Sequence, residues 1–316
     1  MSKRKKRFLL FFFIIALTLT TFGCNNDQEN NKVVAEFKDG QVLQRDFDKY
    51  LNVLQFLNPQ VVKEIKDQNV KRRLLEQFIA ERYLGTKEKL SPQNEQDVDN
   101  AFQYLKEQKI QMVGSEDNYQ KELKNLKITE NDIKDYLKRN IGIQIYFENQ
   151  ITKDQLKHAF QKSKQDFVIA TVSHILIGTN NRTDEEARKR ANEVLAKLKA
   201  GQDFTKLAKE YSDDPGSKDK GGIYENVSVI NWVPEFKEAV LKQPTGKISD
   251  QPVKTQYGYH IIKVISRKVP SFEQLKENEI SILKRQLIEE MFSNFMNKDL
   301  PKLITKIDLS GNNHSK

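Results

Sequence analysis

The sequence predicts an α+β protein in which a mostly helical domain, built from both chain ends, encloses an inserted unit with a small antiparallel sheet flanked by helices. Three observations predict it. Residues 46 to 165 repeat apolar side chains at intervals of three and four, the spacing of one helix face. At Phe167 the composition turns β-branched, F-V-I-A-T-V-S-H-I-L-I, which suits a pleated strand. Beyond Pro270, Leu275, Ile282, Leu283, Leu287, Ile288 and Met291 form an apolar stripe on a helix over Phe272 to Met296, and such a stripe needs a partner. The helices near the other chain end are the simplest partner. Segments 33–168 and 269–316 would then form one domain around an inserted 169–268.

Taken in order, Val33 to Phe37, the turn dipeptide Asp39-Gly40, then Val42 and Leu43 predict a short hairpin. Phe47, Tyr50, Leu51 and Leu54 begin a helix that Pro59 interrupts. A second helix is expected from about Val61, then a long one with Val70, Leu74, Leu75, Phe78, Ile79 and Leu84 on one side. Ser91-Pro92 is an N-cap with proline at the first helical position. Ser115, Thr129 and Thr152 mark further starts, Thr152-x-x-Gln155 as a capping box. His158 is alone among lysines and is expected on the surface. After the strand at Phe167, Thr183-x-x-Glu186 caps a helix through Ala200 that Gly201 ends. A short helix covers Asp203 to Tyr211, D-D-P-G-S-K-D-K-G-G is a loop, and Val233 to Leu241 is helical. Gln251 to Thr255 and Tyr259 to Ile265 are strands joined at Gly258. After Pro301, Leu303, Ile304 and Ile307 suggest a last short element.

The chain has 316 residues, enough for about two domains. Its formal charge of +9 invites a nucleic-acid reading, but Lys3, Arg4, Lys5, Lys6 and Arg7 supply five of the positive charges. Without residues 1–23, 48 basic side chains face 44 acidic ones, too small and scattered an excess to point to nucleic acid. The basic cluster opens a signal peptide, residues 1–23, whose apolar run Phe8 to Leu17 is too short for a stable bilayer span. It leads to T-F-G-C and Cys24, the one cysteine of the chain, which can form no intramolecular disulfide. T-F-G-C resembles a bacterial lipobox, with Thr21 where Leu is usual; the resemblance implies a lipid on Cys24. Ordinary secretion with an incidental thiol, or an uncleaved anchor, are the other readings. Residues 24–32 contain N-N-D-Q-E-N-N-K, a polar spacer that reads as a tether.

The segment from Val172 to Val264 carries V-S-H-I-L-I, Y-S-D-D-P-G-S-K-D-K-G-G, V-P-E-F and Y-G-Y-H-I-I-K-V. In this order and spacing they resemble the parvulin-type peptidyl-prolyl isomerase domain. The resemblance implies a shallow apolar pocket for a proline ring above a hydrogen-bonded group, here His174, Asp214, Thr255 and His260. Each histidine alone reads as a satisfied core residue on facing strands; the four filled positions favour a site. Rotation about X-Pro faces a barrier of about 18–20 kcal/mol, mostly amide resonance. An enzyme lowers it by binding the twisted amide better than the planar forms, which calls for no cofactor and no metal.

The expected pocket wall is Tyr224, Trp232 and Phe236. Tyr224 and Trp232 stand where the family carries Leu and Met, and the family's turn glycines are missing between Ile223 and Asn231, so a rebuilt loop and a narrowed pocket are expected. Arg182, beside Asp184, Glu185 and Glu186, is a poor phosphate site. Lipobox, hairpin with helices, central parvulin unit and C-terminal helix together resemble the PrsA-type extracytoplasmic foldase lipoproteins. That resemblance implies a chaperone-like helical domain, unfolded or partly folded secreted proteins as partners through their X-Pro segments, a lipid-anchored position on the outer face of the cell membrane, and homodimers. The alternative is a holdase whose parvulin unit is degenerate. Nothing resembles the two-lobed cleft of a solute-binding lipoprotein.

Overall fold

The structure, a computed structural model, describes residues 31–60 and 67–310. The predicted signal peptide, Cys24, most of the tether and the helix expected from Val61 lie outside the described residues. The chain divides into two compact units, residues 1–151 with 285–316, and residues 152–284.

The first unit opens with β1 (Val33–Phe37) and β2 (Gly40–Leu43), the predicted hairpin, turned at Asp39 with φ 72°. Helices α1 (Gln44–Leu57), α2 (Gln68–Leu84), α3 (Pro92–Val113), α4 (Glu116–Asn125) and α5 (Glu130–Glu148) follow. The expected caps form: Ser91, Ser115 and Thr129 each accept from a backbone N–H of the first turn, relieving donors that a helix start leaves unpaired. The core is aromatic, with Tyr50 and Phe78 stacked at 4.5 Å. Glu81 is buried among them, accepting from the Tyr50 hydroxyl at 2.7 Å. Burial pushes its carboxyl above the ordinary range, with Arg139 opposing.

Helix α6 (Lys153–Ser163), capped by the predicted Thr152–Gln155 box, opens the second unit and leaves His158 exposed. A 3-10 turn carries Phe167, and β3 (Ile169–Gly178) runs through the β-branched stretch. Helix α7 (Asp184–Lys199) starts at the Thr183–Glu186 box, and α8 (Phe204–Tyr211) follows. Then come β4 (Ile223–Ser228), α9 (Pro234–Lys242), β5 (Val253–Thr255) and β6 (Gly258–Lys268). The sheet order is β4-β3-β6-β5, all antiparallel. Strand β4 is a correction: the stretch from Ile223 was expected to be a rebuilt loop. Its residues are half-buried or exposed in pairs, Ile223 and Tyr224, then Glu225 and Asn226, then Val227 and Ser228, so they carry no alternating pattern, and Asn226 takes the positive φ of 51°.

Period-two alternation sorts the sheet's side chains. Ile175, Ile177, Tyr259 and Ile261 pack under α7 and α8, whereas Ala170, Val172, Ile262 and Val264 pack under α9 with Phe236 and Val240. Each fully buried isoleucine contributes about 1.5–3 kcal/mol of transfer free energy.

The single helix expected over Phe272 to Met296 is interrupted. A 3-10 turn at Phe272–Gln274 precedes α10 (Glu277–Asn294), a π turn follows at Phe295–Asp299, and α11 (Leu300–Leu303) ends at β7 (Ile304–Ile307). Within the first unit Ile288, Met291, Phe292 and Phe295 pack on Leu84, Ile143 and Phe147, whereas Leu275, Ile282 and Leu283 of the expected stripe fall in the second unit. Strand β7 pairs with β1, giving the sheet order β2-β1-β7. Both chain ends therefore build one unit, with the other inserted between them in sequence.

Candidate active site

His174 lies on β3 and His260 on β6, both at even positions, so both point to the α9 face of the sheet. The register sets His174 opposite Ile262 and Leu176 opposite His260, a diagonal placement that brings the two imidazoles together. Their Nδ1 atoms are 3.2 Å apart. Thr255, at the end of β5, places its Oγ1 2.9 Å from His260 Nε2. On the far side His174 Nε2 lies 2.9 Å from Asp214 Oδ2. The four residues named from sequence thus form one unbroken chain.

The two ends of that chain fix its direction. Thr255 Oγ1 accepts from the Tyr257 N–H at 3.1 Å, leaving its own proton for His260 Nε2. Asp214, ionised, can only accept. With neutral rings every bond then has one proton: Thr255 gives to His260 Nε2, His260 Nδ1–H to His174 Nδ1, and His174 Nε2–H to Asp214. Burial pushes His260 down to about 3, with any charge on His174 acting the same way and Asp214 opposing. The hydrogen bond from His174 holds the Asp214 carboxyl far below the usual range against burial, with Ser217 and the Gly216 N–H adding to it.

The loop after α8 carries the carboxylate. Ser212 Oγ, fully buried, accepts from Leu176 N at 3.2 Å and Asp214 N at 3.3 Å, tying the loop along β3. Ser217 donates its hydroxyl to Asp214 Oδ2 in a short hydrogen bond and lies 3.1 Å from His174 Nε2. The loop closes at Gly222, whose carbonyl accepts from His174 N at 2.8 Å. Gly222 has φ 79°, and a Cβ there would lie 2.2 Å from the His174 carbonyl oxygen, so glycine is required. Sequence reasoning missed Ser212 and Ser217. The S-D-D-P-G-S spacing was the available signal, because serines flanking a turn aspartate commonly bond it locally.

Above the histidines, Phe236 stands nearly perpendicular to both rings, 5.4 Å from His174 and 5.1 Å from His260. Trp232 meets Phe236 edge-on at 5.1 Å. Tyr224 lies 5.4 Å from the His174 ring, and its hydroxyl donates to Asp214 Oδ2 at 3.0 Å. The three aromatic residues named for a pocket wall therefore gather at the same place. Arg182 is already engaged, donating to the Gly178 carbonyl at 2.6 Å and, in a short hydrogen bond, to Asp213. Among the described residues no helix is long and apolar enough to cross a membrane.

The fold and this aromatic-roofed histidine pair define a class. The family model of the PPIC-type PPIASE domain matches residues 156–268, so the second unit is a parvulin-type peptidyl-prolyl isomerase domain. A foldase protein PrsA of Clostridium botulinum strain Hall is 35% identical over 247 residues, covering 72% of this chain and 70% of that protein. A foldase protein PrsA of Clostridium botulinum strain Langeland is 30% identical over 327 residues, covering 92% and 94%. Among solved structures, a peptidylprolyl isomerase (PrsA) of Bacillus cereus is 29% identical, with 89% of this chain and 95% of that one covered and a TM-score of 0.42. The chain belongs to the PrsA foldase family, and it is a peptidyl-prolyl isomerase foldase.

Proposed function

We propose that the chain is a membrane-tethered foldase that isomerises X-Pro bonds in secreted proteins, with His174, Asp214, Thr255 and His260 as its reacting floor and Tyr224, Trp232 and Phe236 as its wall. The observation that carries this reading is the unbroken hydrogen-bond chain from Thr255 to Asp214 beneath the Phe236 ring. Every proton in that chain is already committed, so the floor presents a fixed field to substrate and exchanges no proton with it. A planar amide carries a resonance form with negative oxygen and positive nitrogen; the twisted amide has lost it. A pocket that strips water from the carbonyl beside an ionised carboxylate disfavours the planar form relative to the twisted one. Phe236 and Trp232 would hold the proline ring while the preceding carbonyl turns.

Lipidation of Cys24 would place this activity on the outer face of a membrane, where secreted chains emerge unfolded. The basic cluster, the apolar run and T-F-G-C support that placement. A chaperone contribution from the helical unit rests on the family resemblance; the cleft of about 860 Å³ in that unit is lined mostly by charged side chains, Lys49, Arg82, Asp132 and Arg139 among them. The test is isomerisation of short Ala-Pro peptides by the full chain, followed by magnetisation exchange. Catalysis that Asp214→Asn weakens agrees with the proposal. An exchange rate equal to the uncatalysed one on several X-Pro peptides leaves only the holdase reading.

A further inference from the structure

Tyr224 follows the first residue of β4, where the antiparallel register sets it opposite Val172. That register brings its ring beside His174 and carries its hydroxyl on to Asp214 Oδ2, 3.0 Å away. A ring lining a pocket for proline needs no hydroxyl, and the family pattern has Leu at this place. The phenol is nevertheless accommodated by the chain. A Cβ on Gly216 would lie 2.5 Å from Tyr224 Oη, so the hydroxyl fills the space that any side chain at 216 would take. The same Gly216 donates its N–H to Asp214 Oδ1 at 3.2 Å. Asp214 is thus held from both oxygens, with Oδ2 accepting from His174, Ser217 and Tyr224. Burial and then the Asp214 charge raise the phenol's pKa, so the O–H keeps its proton and stays a donor.

We infer that Tyr224 is a positioning residue, whose hydroxyl, seated against the bare α-carbon of Gly216, holds Asp214 Oδ2 on His174 and so keeps the accepting end of the hydrogen-bond chain in place. This rests on the assignment of His174, Asp214, Thr255 and His260 to the isomerase site. The carboxylate side chain is 15% exposed. Without the phenol it can turn toward water and release His174 Nε2–H, after which the two imidazoles no longer share one arrangement of protons. The ring of Tyr224 still lines the pocket; the hydroxyl acts through Asp214.

The experiment uses the full chain and five variants: Tyr224→Phe, Tyr224→Leu, Gly216→Ala, the double variant Tyr224→Phe/Gly216→Ala, and Asp214→Ala. Isomerisation of an Ala-Ala-Pro-Phe peptide gives kcat and KM separately, and proton NMR follows the hydrogen-bonded His174 Nε2–H. Tyr224→Phe should lower kcat by about three- to tenfold with KM nearly unchanged, below the ~10²–10³ cost of removing a direct transition-state donor. The His174 Nε2–H resonance should broaden or move upfield. Tyr224→Leu, which also removes the ring from the wall, should match Tyr224→Phe in kcat while raising KM. Gly216→Ala should reproduce the loss by displacing the phenol, yet add less than about twofold on top of Tyr224→Phe, the non-additivity expected of residues acting through one contact. Wild-type kcat in Tyr224→Phe, a change in KM alone, or multiplicative effects in the double variant would overturn the inference while leaving the site assignment standing if Asp214→Ala is slow. Wild-type kcat in Asp214→Ala would remove both.

Discussion

Lowering the pH from 7 to 5 should cost the isomerase unit about 2 kcal/mol through His260 alone. The ring is buried, 5% exposed, and held near pKa 3, against 6.5 for a free histidine. Its folded pKa is depressed, so the unfolded chain binds the extra proton between those two values. Stability from this group is therefore complete above about 6.5 and is lost as the pH falls toward about 3. At pH 5 an unfolded histidine is ~97% protonated while the folded ring is still neutral, which amounts to ~2 kcal/mol at ~1.4 kcal/mol per decade. At pH 7 the same term is only ~0.2 kcal/mol. The size at pH 5 depends on the unfolded value and hardly on the folded one, provided the latter stays below about 4. Trp232, the one tryptophan of the chain, stacks edge-on against Phe236 and reports unfolding of this unit by its fluorescence. With a urea slope of roughly 1–3 kcal/mol/M, the midpoint should fall by about 1 M between pH 7 and pH 5. His260→Gln, which can donate and accept but does not titrate, should lose most of that fall. Equal falls in the wild type and His260→Gln would refute the claim that His260 is held neutral by the fold.

Gly222→Ala should destabilise the same unit by at least about 2 kcal/mol, combining left-handed strain of about 1–3 kcal/mol with the displacement of β3 at His174; a Trp232 urea midpoint within error of wild type would contradict the close approach. A phosphoserine-proline peptide should be turned over no faster than its serine counterpart, because Arg182 is already bonded to Gly178 and Asp213. A gain of about tenfold or more in kcat/KM, the scale of a new charge-assisted phosphate contact, would show that this arginine is free to bind phosphate. Cys24→Ser should release the protein from membranes or leave its precursor uncleaved, and mass spectrometry of the membrane-extracted wild type should find a diacylglyceryl group on residue 24; an unmodified thiol would exclude the lipid tether.

The sequence alone determined whatever depends on near neighbours in the chain. The capping boxes at Thr152 and Thr183 formed because a threonine and the glutamine or glutamate three residues on meet within one helical turn. The Asp39-Gly40 hairpin and the β-branched strand through His174 were legible for the same reason, and so were the four candidate residues that meet in space, through the fixed order of the short motifs around them. Tertiary structure decided which backbones pair. Ile304–Ile307 reads as an anonymous short element until β1 is beside it, and β4 is half-buried in pairs with no alternation, so its edge place on β3 is invisible in sequence. The diagonal register of β3 and β6 makes two separate histidines one hydrogen-bonded pair; a slip of one residue would turn His260 to the α7 face. Ser217 bonds Asp214 from three residues away, a local contact, whereas the Tyr224 hydroxyl reaches it only because β4 pairs with β3 beside the loop that carries Asp214. That second contact is a matter of distance in space, which residue order does not encode.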